Sequence, residues 1–160
     1  MKHIINALVE NKPGVLAHVA GMFAARGFNI DSLVVGRTED PKLSRMTIVV
    51  IGDDRVLEQV RKQLAKIIPV VKVTDYVGKP VVARDLMLIT VAAPAEKRPE
   101  IFPLIEMFHG RVVDISHKSI MVEVSGPETK IEAFIETCKP YGIKALARTG
   151  TIAMPRQHGN

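Results

Sequence analysis

The 160-residue sequence predicts an α+β protein built from two tandem ferredoxin-like domains, each with the element order βαββαβ. Three observations lead to this prediction. Short apolar runs typical of strands alternate with stretches of helical spacing. The same order of elements occurs twice along the chain, and a Gly78-Lys79-Pro80 turn separates the two halves. Each half should therefore place two helices on one face of a four-stranded antiparallel sheet.

The first half begins with an apolar strand over residues 3–9 and a turn at Pro13-Gly14. The next segment has apolar residues at helical spacing, which predicts a core-facing stripe of Leu16, Val19, Ala20 and Phe23. Gly27 is expected to end this helix, because glycine adopts the left-handed conformation at low cost. The remaining strands of this half are predicted over residues 30–37, 43–51 and 70–76. The second helix follows Asp53-Asp54 and carries Leu57, Val60, Leu64 and Ile67 on its apolar face.

The second half repeats the order, with strands predicted over residues 86–92, 111–115, 119–124 and 143–148. Its first helix carries Ile101, Leu104, Ile105 and Phe108, and Pro99 and Pro103 predict that regular helix begins late. Its second helix follows Gly126-Pro127 and carries Ile131, Phe134, Ile135 and Cys138. We therefore predict a first domain over 1–77, a linker over 78–83, a second domain over 84–150 and a loose tail over 151–160.

Composition argues against several functional classes. The sequence has no run of about 18 apolar residues and no signal-peptide pattern, so we expect a cytoplasmic protein without a membrane span. Cys138 is the only cysteine, which excludes an internal disulfide and a cysteine zinc cluster. The net charge of +5 is spread among 17 acidic residues and the chain has no Trp, so we expect no nucleic-acid partner.

No catalytic or metal-binding residues are predicted. The five histidines lack metal-ligand spacings such as HExxH, and neither GxGxxG nor a Walker loop occurs. The Asp53-Asp54 pair is explained by capping of the second helix. His18 lies one turn beyond Pro13-Gly14, but it falls off the apolar stripe and is expected in solvent.

The turn between the first strand and the first helix is the candidate binding site. A helix start presents backbone N–H groups without intrahelical partners and a partial positive charge, which suit a carboxylate or phosphate. Asn11 adds an amide that donates and accepts hydrogen bonds, and Asn29 can supply a second amide. The same residues are also common in turns that bind nothing, so both interpretations are open from the residues alone.

The sequence also resembles a known family. The run from Glu10 to Leu16 (ENKPGVL) and the run from Arg26 to Leu33 (RGFNIDSL) are similar to an ACT domain. The further runs from Asp40 to Ile48 (DPKLSRMTI), from Val56 to Gln59 (VLEQ) and from Phe108 to Ser116 (FHGRVVDIS) make the chain resemble the small regulatory subunit of acetolactate synthase, also called acetohydroxyacid synthase. This resemblance spans residues 2–150 and both halves.

The resemblance implies a regulatory protein without an active site or cofactors of its own. Members of the family bind a large catalytic subunit that carries thiamine diphosphate, Mg²⁺ and FAD and condenses two 2-oxo acids. They raise its activity and make it sensitive to branched-chain amino acids, typically valine. The resemblance also implies a homodimer formed by the ACT domains, with the effector between two chains. The matching contact residues are Asn11, Gly14, Val15 and Leu16 from one chain, with Asn29 and Ile30 from the other.

Alternatives stay open at this point. A free-standing amino-acid sensor that acts on another enzyme or on transcription would share the first half of the chain. The family's turn often carries a small or acidic residue where this chain has Lys12-Pro13, so the preferred branched-chain amino acid is open. The stoichiometry of the complex and the surface that contacts the large subunit are open as well.

Overall fold

The computed structural model describes residues 1–157 and contains two compact units. The first unit comprises residues 1–82 together with the chain from Thr151, and the second comprises residues 83–150. Each unit combines helices with an antiparallel sheet, which confirms the predicted α+β class.

The first unit has the predicted order βαββαβ. Its elements are β1 (Lys2–Glu10), α1 (Val15–Arg26), β2 (Asn29–Arg37), β3 (Leu43–Ile51), α2 (Asp54–Ala65) and β4 (Val70–Asp75). The strands form an antiparallel sheet in the order β2-β3-β1-β4, so β2 and β4 are its edges. Asp53 accepts a hydrogen bond from the Val56 N–H through its side chain, so it caps α2 as predicted.

The second unit repeats the order with β5 (Val81–Ala92), whose first two residues belong to the first unit, α3 (Arg98–Met107), β6 (Arg111–Ile115), β7 (Ser119–Gly126), α4 (Glu128–Cys138) and β8 (Ile143–Arg148). Its strand order is β6-β7-β5-β8. Short 3₁₀ turns over Ala95–Lys97 and Lys139–Tyr141 flank the two helices. Cys138 is buried in the core of this unit beside Phe134, as expected from its place on the helical stripe.

The core-facing side of α1 differs from the prediction. Val15, Val19 and Phe23 are buried, whereas Leu16 and Ala20, which were assigned to the stripe, are exposed. Val19 and Phe23 belong to both the predicted and the observed buried sets, and nearly all residues of this helix are apolar. The spacing of apolar residues therefore could not determine which side of α1 faces the sheet. His18 is exposed, as predicted.

The late start predicted for the third helix is wrong. The helix begins at Arg98, with Pro99 in its first turn and Pro103 inside it. A proline in the first turn costs little, because the N–H groups there have no intrahelical acceptor. Pro103 removes only the bond that its nitrogen would have made to Pro99, so the helix continues through both prolines.

The tail expected to be loose contains a strand where the structure describes it. Ile152–Pro155 forms β9, which pairs with β5, and the Arg156 N–H donates to the Pro80 carbonyl at 2.9 Å. The Thr151 N–H lies 3.3 Å from Ser32 Oγ, and Ala153 is buried. These contacts return the tail to the first unit. The tail prediction for residues 158–160, including His158, lies outside the described residues.

Candidate functional site

The turn between β1 and α1 has the backbone geometry that its sequence predicts. Gly14 immediately precedes α1 and adopts φ of +83°, in the left-handed region that favours glycine. The first N–H groups of α1 therefore point out of the helix end without i−4 acceptors. The Val15 N–H makes only a long contact of 3.5 Å with the Lys12 carbonyl.

Asn11 is held against the turn that joins β2 and β3. Its backbone N–H donates to the Lys42 carbonyl at 2.7 Å, and its side-chain Nδ2 donates to the Pro41 carbonyl at 3.0 Å. Within residues 1–157 nothing donates to the amide oxygen of Asn11. The side chain is thus oriented with its acceptor free, and Asn11 precedes the first residue of α1 by four positions.

Residues of the β2–β3 turn rigidify this arrangement. The Lys42 N–H donates to Asp40 Oδ1 at 2.9 Å, and the Thr38 hydroxyl donates to the Asp40 carbonyl at 3.0 Å. A cavity of about 470 Å³ lies at this end of the sheet. Its walls are Glu10, Asn11, Lys12, Asp40, Pro41, Lys42, Leu43 and Val71. The roles of Pro41 and Lys42 as backbone acceptors for Asn11 were not predicted, because carbonyl contacts leave no signal in residue type.

Val15 and Leu16 take different positions at the start of α1. Val15 is buried in the core of the first unit, so only its backbone N–H faces the turn. The Leu16 side chain is 46% exposed although it is apolar. Leu16 therefore offers an apolar surface directly beside the open N–H groups.

Asn29 and Ile30 lie at the opposite end of the same sheet. Asn29 pairs with Ile51, the last residue of β3, whereas Glu10, just before Asn11, pairs with Leu43, the first residue of β3. The eight intervals of β3 between these pairs span about 27 Å at the usual rise per residue. Asn11 and Gly14–Leu16 therefore belong to one turn at one end of the sheet, although the cavity at Asn11 is not lined by Gly14, Val15 or Leu16, and Asn29 and Ile30 lie at the other end.

Two features of the described residues concern metal ligands and the single cysteine. Residues 1–157 contain no group of three His, Cys, Asp or Glu side chains that could hold a metal ion. Burial raises the pKa of the Cys138 thiol to about 11, so this thiol is protonated and unreactive near neutral pH. No helix within residues 1–157 is long and apolar enough to cross a membrane.

Fold and turn together define the class: this is a protein of tandem ferredoxin-like domains whose first unit is an ACT domain. Residues 5–72 match the family model of the AHAS (acetohydroxyacid synthase) small subunit-like ACT domain, and residues 84–157 match that of the small subunit of acetolactate synthase. The chain belongs to the family of acetolactate synthase small subunits.

Full-length relatives support this assignment. The chain is 58% identical over 156 residues to the probable acetolactate synthase small subunit of Archaeoglobus fulgidus, and the match covers 98% of each protein. It is 48% identical to the acetolactate synthase small subunit of Bacillus subtilis, with 98% of this chain and 91% of the relative covered. The crystal structure of the small subunit from Thermotoga maritima superimposes with a TM-score of 0.92 at 43% identity, covering 99% of both chains.

Proposed function

We propose that this chain is a non-catalytic subunit that binds the large catalytic subunit of acetolactate synthase, raises its activity and makes it sensitive to feedback inhibition by branched-chain amino acids. Valine is the effector that we expect. The proposal rests above all on one observation: this member of the family has a free acceptor oxygen on Asn11, in the same turn that leads into the open start of α1.

The turn has complementary groups for both charges of an amino acid. The N–H groups at the start of α1 can donate to the carboxylate, which the helix dipole also favours. The hydrogen bond from Asn11 Nδ2 to the Pro41 carbonyl orients the side chain, and its free oxygen can accept from the ammonium group. The exposed Leu16 side chain supplies apolar contact for a branched side chain.

Pairing of two chains along β2 would complete the site. An antiparallel, two-fold pairing centred near Leu33 places Asn29 of the partner subunit opposite Arg37. Arg37 pairs with Ser44, next to the Leu43–Glu10 pair that leads into Asn11. Such a dimer therefore brings the partner's Asn29 and the partner's Ile30 to the end of the sheet where the turn lies.

The outer surface of the first unit fits this mode of pairing. β2 is an edge strand of its sheet, and an exposed edge otherwise invites uncontrolled association. Val35 on β2 is 40% exposed, and α1 exposes the small residues Ala17, Ala20 and Ala24. Since α2 contacts β4, α1 covers the half of the sheet that includes β2. Small side chains there would let the α1 helices of two chains approach closely.

Regulation follows from an effector that spans two chains. Valine would bind most tightly to one dimer geometry, and it would inhibit if that geometry fits the active large subunit less well. Thiamine diphosphate, Mg²⁺ and FAD belong, in this proposal, to the large subunit. This chain contributes the effector contacts and the dimer contacts, which we assign to the first unit.

Reconstitution with a purified acetolactate synthase large subunit tests the proposal. Addition of the wild-type chain should raise acetolactate formation, and valine should then lower it. Asn29→Ala and Gly14→Asp should abolish inhibition by valine while they preserve activation. Gln59→Ala, which removes an exposed amide from α2, serves as a matched control and should behave as wild type.

The assay tests activation of the large subunit separately from inhibition by valine. Absence of activation by a correctly folded wild-type chain would contradict the assignment as a regulatory subunit of this enzyme. Loss of activation together with inhibition in Asn29→Ala would contradict an effector role for Asn29. Comparison of valine with leucine and isoleucine in the same assay identifies the preferred effector.

A further inference from the structure

A buried amide in the first unit has no acceptor for its hydrogens. Asn6, in the middle of β1, is only 2% exposed, and its Oδ1 accepts a hydrogen bond from Arg45 Nη1 at 2.5 Å. Its Nδ2 has no hydrogen-bond partner within residues 1–157. The guanidinium fixes the amide orientation, because a flipped amide would direct donors at a donor-only group. The unsatisfied group is therefore a donor.

Asn6 lies on the sheet face opposite the helices. Its neighbours Ile5 and Ala7 belong to the core between sheet and helices, and side chains alternate along a strand. Asn6 lines a cavity of about 320 Å³ on this second face. The other lining residues come from β1, β3, β4, the residue that follows β4 and the tail: Leu8, Arg45, Lys72, Thr74, Tyr76, Met154 and Pro155.

The cavity lining is positively charged and rich in hydrogen-bond donors. It combines a guanidinium, an ammonium group, two hydroxyl groups and the Asn6 amide, and none of its residues is acidic. Within residues 1–157 no carboxylate forms an ion pair with Arg45 or Lys72. Burial raises the pKa of the Tyr76 phenol although the charge of Arg45 opposes this shift, so the phenol stays protonated as a donor.

Burial of an unsatisfied donor beside unpaired cations is unfavourable unless an acceptor occupies the cavity. We propose that this cavity, which we call the second-face site, binds a small organic anion with a carboxylate or phosphate group. Arg45 and Lys72 would neutralise the anion, Asn6 Nδ2 and the hydroxyl groups would donate to its oxygens, and Leu8, Met154 and Pro155 would contact its apolar part.

The second-face site is separate from the turn at Asn11. It involves no residue of that turn and needs no second chain, because all its lining residues belong to the first unit. It also offers no carboxylate for an ammonium group, so it selects simple anions over zwitterionic amino acids. The proposal stands independently of the one for acetolactate synthase.

NMR titration of the full-length, ¹⁵N-labelled chain tests the site. The probes are sodium phosphate and sodium isobutyrate, each added at constant ionic strength against chloride. We expect saturable shifts of the Asn6 side-chain amide and of the Thr74 and Tyr76 backbone amides with at least one probe. The probe that binds with the higher affinity shows whether the site prefers a phosphate or a carboxylate, and saturable binding of either one supports the site.

Three variants make the test specific. Lys72→Met should weaken binding about tenfold, the effect expected for loss of a charged hydrogen bond. Lys66→Met removes an equally exposed charge at the end of α2 and should leave affinity unchanged. Asn6→Asp keeps the contact with Arg45 but introduces a carboxylate, so it should abolish binding.

Linear, non-saturating shifts with both probes would overturn the proposal. So would equal affinities in Lys72→Met and Lys66→Met, because the cavity's own cation would then contribute nothing. Both Lys variants alter exposed side chains, so their folds should be preserved, which the same spectra verify.

Discussion

Hybrid dimers offer a direct test of whether the effector site is shared between two chains. Asn11 and Asn29 lie at opposite ends of one sheet, about 27 Å apart along β3. A single valine, which is only a few ångströms long, cannot contact both within one chain. We therefore predict that a chain carrying Asn11→Ala and a chain carrying Asn29→Ala complement each other when they form one dimer.

The expected stoichiometry follows from two-fold symmetry. In a hybrid dimer, one site combines both substitutions and the other combines the intact Asn11 of one chain with the intact Asn29 of its partner. The hybrid should therefore bind about 0.5 valine per chain, against about 1 for wild type, with wild-type affinity. Each homodimeric variant loses a hydrogen bond to a charged group at both sites. That loss of about 1.5–3 kcal/mol weakens binding roughly 10- to 150-fold.

Co-expression with two different affinity tags yields hybrids free of homodimers, and isothermal titration calorimetry with valine gives stoichiometry and affinity together. A hybrid that binds no valine, while wild type binds it, would refute the shared site. If Asn11 and Asn29 of the same chain formed each site, both chains of the hybrid would carry a damaged site. Wild-type affinity in the Asn29→Ala homodimer would refute the role of Asn29. A hybrid of wild type with Gln59→Ala is the control and should bind about 1 valine per chain.

Three further predictions concern stability and reactivity. Gly14→Ala should destabilise the first unit by about 1 kcal/mol, because the backbone φ of Gly14 is +83°. Gly21→Ala should stabilise it by up to about 1 kcal/mol, because Gly21 lies inside α1 with open space where a Cβ atom would be. Urea unfolding of both variants measures the two changes in the free energy of unfolding. Asp85 is 2% exposed and its carboxylate accepts hydrogen bonds from Arg148 at 2.6 and 2.9 Å, so Asp85→Ala should lower the free energy of unfolding by about 3–5 kcal/mol. Asp114 is exposed, and Asp114→Ala should change the free energy of unfolding little. An unchanged free energy of unfolding in Asp85→Ala would contradict this prediction. The Cys138 thiol should resist iodoacetamide at pH 8 in the folded chain and react quickly in urea, as mass spectrometry would reveal.

The order of elements was predictable, because it depends on local patterns that are strong in this sequence. Alternating apolar runs located the strands, and Gly27, Asp53 and Gly126-Pro127 located helix ends. The rotation of α1 was not predictable, since the helix is apolar on nearly every side. Its exposed residue Leu16 is part of the proposed effector site, so the face that the pattern misassigned is the one that the proposed dimer would cover.

The second-face site was missed because long-range contacts define it. Asn6 interrupts the apolar run from Ile4 to Val9, and that interruption was the one signal in the sequence. Arg45, Lys72 and the tail residues come together only through the sheet register and through the return of β9 to the first unit. The tail sequence carries no strong strand pattern, so its contacts with Ser32 and Pro80 could not be foreseen.

A site shared by two chains ties effector binding to dimer strength. If only the dimer binds valine, each site stabilises it by RT ln(1 + [valine]/Kd), which is about 2.7 kcal/mol at a hundredfold excess over Kd. Two sites contribute about 5.4 kcal/mol, so valine at that excess should lower the dimer dissociation constant about ten-thousandfold. Dilution of the labelled chain with and without valine, followed by fluorescence anisotropy, measures this change. The same coupling predicts that, at the same valine concentration, Asn29→Ala dimers show a much smaller change of their dissociation constant than wild type. A change as large as in wild type would place the effector away from the β2 seam.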